Sequence, residues 1–319
     1  MLFKLNSEFK EIMGMKQNIS NVNKKNIGKL KKIETTRLLL NENIEVFKCP
    51  LCKKNMVTVD KNSVKCVNKH CFDISKKGYV NLLNRNTKTI YNKELFESRH
   101  EIYNSNVYDY LIEEIKSIIK NYTLNKYSNY VLDAGCGEGY FLNKLYEDEE
   151  INNGCKLIGI DIAKEGISIA TRGENEIIWC ISDLANLPLQ DSKLDIILNI
   201  LSPANYKEFT RVLNNGGIVV KIVPESNYLK EIRKSIQKNV KNSYYDNKNI
   251  VDVFKKHLDL IYDSRINYKT NINVLNLSNL IKMTPLTSSL GEEEILMLLE
   301  SGISDITIDL RVIVGAIKK

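Results

Sequence analysis

The 319-residue sequence lacks the features of membrane-spanning, secreted and disulfide-stabilised proteins. It has no run of about 18 apolar residues, so it predicts no transmembrane helix. Its first residues, MLFKLNSEFKEIM, contain no long apolar segment of a signal peptide, so we expect a protein that is not secreted. The cysteines number seven, which is odd, and only Cys49 and Cys52 form a tight pair. A disulfide framework is therefore disfavoured, and we expect a reducing, cytoplasmic setting with thiolate chemistry.

Acidic residues are scarce in the first part of the chain. Residues 1–48 carry 10 basic and 5 acidic side chains, and residues 49–93 carry 10 and 2. The remaining 226 residues carry 26 basic and 32 acidic side chains, so the overall charge of +7 divides into +13 and −6. This asymmetry favours a polyanionic partner for the basic part, although compositional drift toward lysine and asparagine would give the same counts.

Charge and hydrophobic patterning divide the chain into four segments. We predict a flexible basic extension over 1–45, a compact cysteine and histidine module over 46–90, a helical connector over 91–125 and an α/β domain over 126–319. Apolar strands alternate with helices in the α/β domain, which predicts a doubly wound, mainly parallel sheet. The predicted strands are Tyr130–Ala134, Leu157–Asp161, Ile177–Ile181, Leu194–Ile200, Gly217–Val223, Leu258–Lys269 and Ile303–Ile317, with helices around 139–147, 164–171 and 205–213.

The second segment has the ligand spacing of a structural zinc site. Cys49 and Cys52 form a C-x2-C knuckle, and after thirteen further residues Cys66 is followed by His70 and Cys71. The alternating valines between the two halves predict a β-hairpin that brings them together. Four thiolates, or three thiolates and the imidazole of His70, would complete a tetrahedron, and the spacing leaves both sets open. Because four protein ligands close the site, we expect the zinc to be structural and to supply folding energy.

A glycine-rich turn follows the first strand of the α/β domain. Gly135, Gly137 and Gly139 allow the backbone to turn tightly and to approach a ligand. Asp161 ends the next strand, 22 residues after Gly139, where a carboxylate reaches ribose hydroxyls. These residues fit NAD as well as S-adenosylmethionine, but a dinucleotide fingerprint would need glycine at the position of Tyr140.

The stretch around this turn resembles the class I methyltransferases, in which an acidic residue stands two positions before the first glycine, as Asp133 does here. The resemblance implies a Rossmann-like fold and S-adenosylmethionine as cofactor. Asp133 would then face the methionyl ammonium, and Asp161 would hold the ribose diol. Asp183 and Leu184, after the third strand, would meet the adenine edge, with Asp183 accepting a hydrogen bond from the exocyclic amine.

Further motifs resemble one methyltransferase family. They are Cys49-Pro-Leu-Cys52, Cys66-x3-His70-x-Phe72-Asp73, Lys77-Gly-Tyr-Val-Asn-Leu-Leu83, Leu187-Pro188, Ser202-Pro203 and Met283-Thr-Pro285. Together with the glycine turn they span residues 47–317, and they are similar to the RlmA-type 23S rRNA guanine-N1 methyltransferases, which include the tylosin-resistance methyltransferase. The resemblance implies a homodimeric enzyme that methylates N1 of a guanine in a domain II hairpin loop of 23S rRNA.

The same resemblance implies residues for the two sites. The zinc ligands of the family correspond to Cys49, Cys52, Cys66 and His70. Cys71 remains the rival of His70. The family's pocket tyrosine corresponds to Tyr108, and Tyr140 belongs to the cofactor loop with the glycines. A family histidine after the fifth strand corresponds to Tyr228, which can stack or hydrogen-bond but does not titrate as an imidazole does.

The basic module is expected to recognise the RNA through lysines that contact phosphates. These lysines are Lys53, Lys54, Lys61, Lys65, Lys69, Lys76 and Lys77. Removing residues 1–90 is expected to abolish RNA methylation and to leave cofactor binding intact. Guanine N1 must lose its proton for the transfer, and the sequence designates no residue as the acceptor. Two alternatives stay open: a methyltransferase of a small molecule or protein with a purely structural zinc module, and a zinc-ribbon nucleic-acid-binding regulator without catalysis.

Overall fold

The computed structural model describes residues 30–83, 92–123, 129–236 and 247–318. The helices in these ranges are α1 (Lys32–Glu42), α2 (Lys93–Tyr103), α3 (Asp109–Thr123), α4 (Tyr140–Tyr146), α5 (Glu149–Gly154), α6 (Lys164–Ala170), α7 (Tyr206–Val212), α8 (Lys230–Ile236), α9 (Lys248–His257), α10 (Val274–Met283) and α11 (Glu292–Leu299). The strands are β1 (Met56–Val59), β2 (Ser63–Cys66), β3 (Cys71–Asp73), β4 (Val80–Asn81), β5 (Asn129–Ala134), β6 (Cys155–Asp161), β7 (Ile178–Ile181), β8 (Leu194–Ile200), β9 (Leu213–Pro224), β10 (Leu258–Asn271) and β11 (Asp305–Ile317).

Eight strands form one twisted sheet in the order β10-β11-β9-β8-β5-β6-β7-β4. The ladders from β9 to β4 are parallel, and β11 runs antiparallel to both of its neighbours. Parallel strands are covered on both faces, which is why β8 reads as an almost continuous apolar run. The strand order reverses beside β5, so a crevice opens at the carboxyl ends of β5 and β8. The predicted doubly wound α/β fold is confirmed.

The seven predicted strands all occur, and Leu194–Ile200 has identical bounds in the structure. The predicted helical connector is two helices, α2 and α3, because the chain breaks near Asn106, whose φ is +66°. Five described helices after the connector were not predicted from the sequence, and each has ten residues or fewer: α5, α8, α9, α10 and α11. Among the described residues, no helix is long and apolar enough to cross a membrane.

The expected flexible extension over 1–45 needs a correction for its last part. Residues 1–29 lie outside the described residues, but α1 is an ordered helix with Leu39 and Leu40 buried in the core. The capping interaction of Glu34, whose carboxylate accepts from the Lys31 amide at 3.0 Å, begins this helix. The lysine-rich composition of this segment gave no indication of the short apolar face of α1.

The cysteine and histidine module is not a separate domain in the structure. Its last strand, β4, pairs in parallel with β7 and becomes the edge of the large sheet. The amide of Lys48 donates to the Pro188 carbonyl at 3.0 Å, and the Gln190 amide donates to the Val46 carbonyl at 2.8 Å. Apolar side chains of the module belong to the same buried cluster as the inner strands. Removal of residues 1–90 would therefore expose part of the sheet core. The expectation that cofactor binding survives this truncation stays a prediction.

Candidate zinc site and cofactor site

Three thiols and one imidazole meet at the base of the β1–β2 hairpin. One potential ligand atom from each of four residues lies within 4.8 Å of the others, and these residues are Cys49, Cys52, Cys66 and His70. The Sγ atoms of Cys52 and Cys66 are 3.7 Å apart, and His70 Nδ1 is 3.5 Å from the Sγ atoms of Cys49 and Cys66. A tetrahedral zinc ion requires about 3.8 Å between two sulfurs and about 3.5 Å between sulfur and nitrogen. The four side chains therefore already have the spacing of a closed zinc site.

Cys71, the rival ligand, lies outside this group and is exposed at the start of β3. Neighbouring residues project in different directions where the strand begins, so only His70 reaches the cysteines. The hydrogen bond from the Lys54 backbone amide lowers the pKa of Cys52 to about 6. A lowered pKa favours the thiolate, which is the form that binds zinc.

The glycine turn lies between β5 and α4, at the reversal of strand order. Gly135, Gly137 and Gly139 have φ values of +88°, +55° and +79°, which favour glycine. A Cβ on Gly135 would lie 2.0 Å from the Ser202 Oγ, and a Cβ on Gly139 would lie 2.5 Å from the Trp179 ring. The turn is thus held between the loop after β8 and the only tryptophan of the chain.

Three carboxylates surround the turn. Asp161 Oδ2 accepts from the Gly137 amide at 2.8 Å, and its Oδ1 accepts from the Ala163 amide at 2.8 Å. Asp133 is 1% exposed, and its Oδ1 has no hydrogen-bond partner within the part of the chain that the structure describes. Burial, followed by the charges of Asp161 and Glu138, raises the pKa of Asp133 well above its usual value. An unpaired buried carboxylate is costly, so this geometry favours a cationic ligand.

Glu138 and Arg99 are site residues that the sequence analysis missed. Glu138 is 2% exposed, and burial raises its pKa to about 7. The Nη1 atom of Arg99 lies 4.0 Å from its Oε2. Glu138 stands inside the glycine motif, which was a usable signal, whereas Arg99 comes from α2 and only the fold brings it to the turn.

Aromatic side chains pack against the other side of the turn. The hydroxyls of Tyr108 and Tyr228, both buried, are 2.6 Å apart. Tyr103 stacks on Tyr140 with ring centroids 5.0 Å apart and contacts Tyr108 edge to face. The three tyrosines predicted for the cofactor site are therefore brought into one cluster, and Tyr103, which was not predicted, joins them.

The loop after β7 carries Asp183 and Leu184. Asp183 Oδ1 accepts from the Ala185 amide at 2.8 Å and begins a single 3-10 turn. The Leu184 side chain would lie 3.7 Å from a Cβ on Gly135. Asn186 in the same loop donates to the Pro50 carbonyl at 3.2 Å and accepts from the Lys53 ammonium. The zinc knuckle therefore contacts the loop that the sequence analysis assigned to adenine.

A buried lysine supports the loop after β8. The Lys221 ammonium is 4% exposed and donates to Asn199 Oδ1 and to the Ser202 carbonyl, both at 2.5 Å. Asn199 in turn donates to the Ala134 carbonyl at 2.8 Å, just before the glycine turn. Burial lowers the pKa of Lys221 to about 8. Lys221 was not predicted from the sequence, because a single lysine in an apolar strand belongs to no motif.

Residues 47–89 match the zinc-ribbon family described as RlmA, N-terminal, and residues 125–273 match a methyltransferase domain. YxjB of Bacillus subtilis (strain 168), named as a candidate 23S rRNA (guanine-N(1)-)-methyltransferase, is 34% identical over 272 residues, which are 85% of this chain and 96% of YxjB. This chain belongs to the RlmA family of 23S rRNA guanine-N1 methyltransferases. The 23S rRNA (guanine(748)-N(1))-methyltransferase of Streptomyces fradiae is 28% identical over 191 residues, which are 59% of this chain and 67% of that protein. The crystal structure of YcgJ from Bacillus subtilis aligns over 65% of this chain and 99% of that chain, with 13% identity and a TM-score of 0.43.

Membership of the RlmA family agrees with both sites. The zinc ribbon explains why three thiols and an imidazole have tetrahedral spacing. The family's cofactor, S-adenosylmethionine, carries positive charge on its sulfonium and on its ammonium. Asp133, Glu138 and Asp161 provide a buried acidic environment for such a cation, with one unsatisfied carboxylate oxygen at the turn. The described residues therefore fit the cofactor.

Proposed function

We propose that this RlmA-family protein transfers a methyl group from S-adenosylmethionine to N1 of a guanine in a domain II hairpin loop of 23S rRNA. The observation that carries the proposal is the buried Asp133, whose Oδ1 atom has no hydrogen-bond partner among the described residues, beside a glycine turn whose preceding strand shares a core with a Cys3His zinc ribbon. The similarity to YxjB along 85% of the chain supports the same substrate class.

The cofactor would lie across the carboxyl ends of β5, β6 and β7. Asp133 would receive the methionyl ammonium, and Asp161 would accept from the ribose diol. Asp183 and Leu184 would contact adenine. The remaining pocket residues, which would close the site, are Tyr108, Gly135, Gly137, Gly139, Tyr140 and Tyr228. Zinc would be held by Cys49, Cys52, Cys66 and His70, with a structural role.

When bound, S-adenosylmethionine supplies an electrophilic methyl group. The task of this chain is to hold guanine N1 in line with that methyl, about 3 Å away, and to let the N1 proton leave. The loop after β8 would receive the base. Ser202 in this loop lies against Gly135, and the Ser202 backbone carbonyl accepts a hydrogen bond from the Lys221 ammonium. The target guanine must leave its stack to reach this depth, which a hairpin loop allows.

The zinc ribbon would help to recognise the RNA, since its lysines offer phosphate contacts. Among those lysines, Lys65 pairs with Asp60 at 2.6 Å and Lys53 contacts Asn186, whereas Lys76 and Lys77 line a groove beside α6. We further propose a homodimer, as the family resemblance implies, and a cytoplasmic setting, as the cysteine usage suggests.

Mass mapping of 23S rRNA from a deletion strain tests this function directly. Loss of one methyl group on a guanine of the domain II loop is expected, and the wild-type gene should restore it. The Asp133→Asn variant should fail to restore it because the amide carries no charge for the ammonium. Asp252→Asn is the matched control, since Asp252 is exposed on α9. An unchanged rRNA in the deletion strain would refute the proposal.

A further inference from the structure

The first helix, the zinc ribbon, the second helix and α6 together form a groove lined by positive charge. Its cationic side chains are Lys32, Lys76, Lys77, Lys93, Lys164 and Arg172. They come from four segments that are distant in the sequence, so no local motif announces them. Among the described residues that line the groove, Glu165 is the one carboxylate, and Glu97 on α2 pairs with Arg172 and Lys93, so positive charge remains in excess.

Three of these cations have partners in the protein, and they are Lys32, Arg172 and Lys93. The Lys32 ammonium donates to the Thr171 and Arg172 carbonyls, at the carboxyl end of α6, where a positive charge is favourable. Arg172 forms a two-pronged ion pair with Glu97 on α2, and Glu97 is also 3.9 Å from the Lys93 ammonium. These contacts hold the walls of the groove together, because they join α1 and α2 to α6.

The other lysines are available to a ligand. Lys76 and Lys164 are exposed and have no ion pair or hydrogen bond to any other described residue. The Lys77 side chain is exposed, and within the described part of the chain its ammonium donates to the neutral Ser168 hydroxyl, at 2.7 Å. Lysines kept close together without counter-ions are unfavourable in the free protein, and a chain of phosphates relieves that repulsion.

The groove adjoins the cofactor turn. Lys164 is the first residue of α6 and follows Asp161 by three positions. The first turn of α6 packs on the glycine turn, because a Cβ on Gly166 would lie 2.8 Å from the Gly137 carbonyl oxygen. A ligand in the groove therefore passes beside the loop that holds the cofactor.

We propose that this groove binds the ribose-phosphate backbone of the RNA strand that presents its guanine to the active site. Lys76, Lys77 and Lys164 contact successive phosphates, and Lys93 extends the track. The inference rests on the proposed function, but it places RNA at the junction between zinc ribbon and methyltransferase domain and not at the tip of the zinc hairpin. Phosphate contacts at this position set the register of the RNA without reading its bases.

The test is the salt dependence of binding of full-length protein to a 23S rRNA domain II transcript. In the Lys76→Ala/Lys164→Ala variant, the slope of log K against log salt should fall in magnitude by about 1.4–1.8, as expected for two lost phosphate contacts. S-adenosylmethionine affinity should not change, because both side chains are exposed and unpaired. The Lys255→Ala/Lys256→Ala variant is the matched control: it removes two exposed lysines from α9, which leads into β10 at the opposite edge of the sheet.

Two outcomes would overturn the groove. One is an unchanged slope in the groove variant while the wild-type protein methylates the transcript, which leaves the proposed function standing. The other is a loss of slope in a Lys61→Ala/Lys69→Ala variant of the hairpin with none in the groove variant. If the wild-type protein neither binds nor methylates the transcript, the proposed function fails, and the groove fails with it.

Discussion

Replacement of Gly135 by alanine should destabilise the cofactor turn in two ways, through an unfavourable backbone conformation and through crowding against Ser202. Its φ of +88° costs an alanine about 1–2 kcal/mol, because the left-handed region crowds Cβ against the backbone. The new Cβ would also lie 2.0 Å from the Ser202 Oγ and 2.8 Å from the Ser202 Cβ. Forcing extra carbon into a packed position costs about 1–3 kcal/mol more. The unfolded chain becomes less flexible, which returns about 0.5 kcal/mol, so the free energy of unfolding should fall by about 2–4 kcal/mol.

Gly216 offers a matched control for the backbone contribution alone. Its φ is +89°, but a Cβ there would meet no atom within 4 Å. Gly216→Ala should therefore cost only about 1 kcal/mol. Gly154 has no positive φ and no neighbour within 4 Å, so Gly154→Ala should be neutral or slightly stabilising.

Denaturant unfolding and calorimetric titration with S-adenosylmethionine would measure both effects. We expect Gly135→Ala to weaken cofactor affinity by about tenfold or more. A tenfold change in the dissociation constant corresponds to only about 1.4 kcal/mol of binding free energy, and displacement of the loop is expected to cost at least that much. Gly216→Ala should bind normally. Adding Ser202→Gly to Gly135→Ala should recover the crowding contribution but not the backbone contribution. Equal losses for Gly135→Ala and Gly216→Ala would refute the reasoning, since close contact with Ser202 would then have no energetic consequence.

Four further predictions concern charge, metal and core. Glu138 has a pKa of about 7, and we expect its ionised form to bind the cofactor. Cofactor affinity should then rise by about 50-fold from pH 5 to pH 7, and calorimetry in two buffers should detect proton release on binding. Because burial raises this pKa, the free protein should lose stability as pH rises from about 4.5 through 7. The His70→Ala variant, or chelation of zinc, should weaken cofactor affinity severalfold in titrations, because the knuckle supports Asn186 beside the proposed adenine loop. Arg265→Met should leave the fully buried Asp309 without its guanidinium partner. The free energy of unfolding should fall by about 2–3 kcal/mol in denaturant melts, a value reduced because Arg265 is half-exposed and water screens the pair.

Each of these predictions has a contrary result. Affinity independent of pH would show that Glu138 keeps its protonation state on binding. Unchanged cofactor affinity in a metal-free protein would mean that the knuckle does not support the loop. Arg265→Lys is the control for the core pair, and if Arg265→Met unfolds at the same denaturant concentration as Arg265→Lys, the two-pronged contact contributes nothing measurable.

Local sequence patterns were enough to predict most of the secondary structure. Strand Leu194–Ile200 was predictable to the residue because parallel strands are buried on both faces and read as apolar runs. The zinc spacing was equally informative, since Cys49 and Cys52 constrain each other through the metal. The choice between His70 and Cys71 was beyond the spacing, because both follow Cys66 within five residues and only the direction of each side chain separates them.

By itself, the sequence determined which chemical groups this protein can use: a glycine turn after a buried strand, acidic strand ends, and three thiols with a histidine. Each of these features depends on residues that are close together in the sequence, so local backbone geometry is enough to form it. Tertiary structure alone decided that β4 of the zinc ribbon completes the methyltransferase sheet, that Arg99 reaches Glu138, and that Lys76 and Lys164 line one groove. The physical reason is that burial of a shared apolar core fixes the positions of distant segments, and charges on those segments then become neighbours without any local signal.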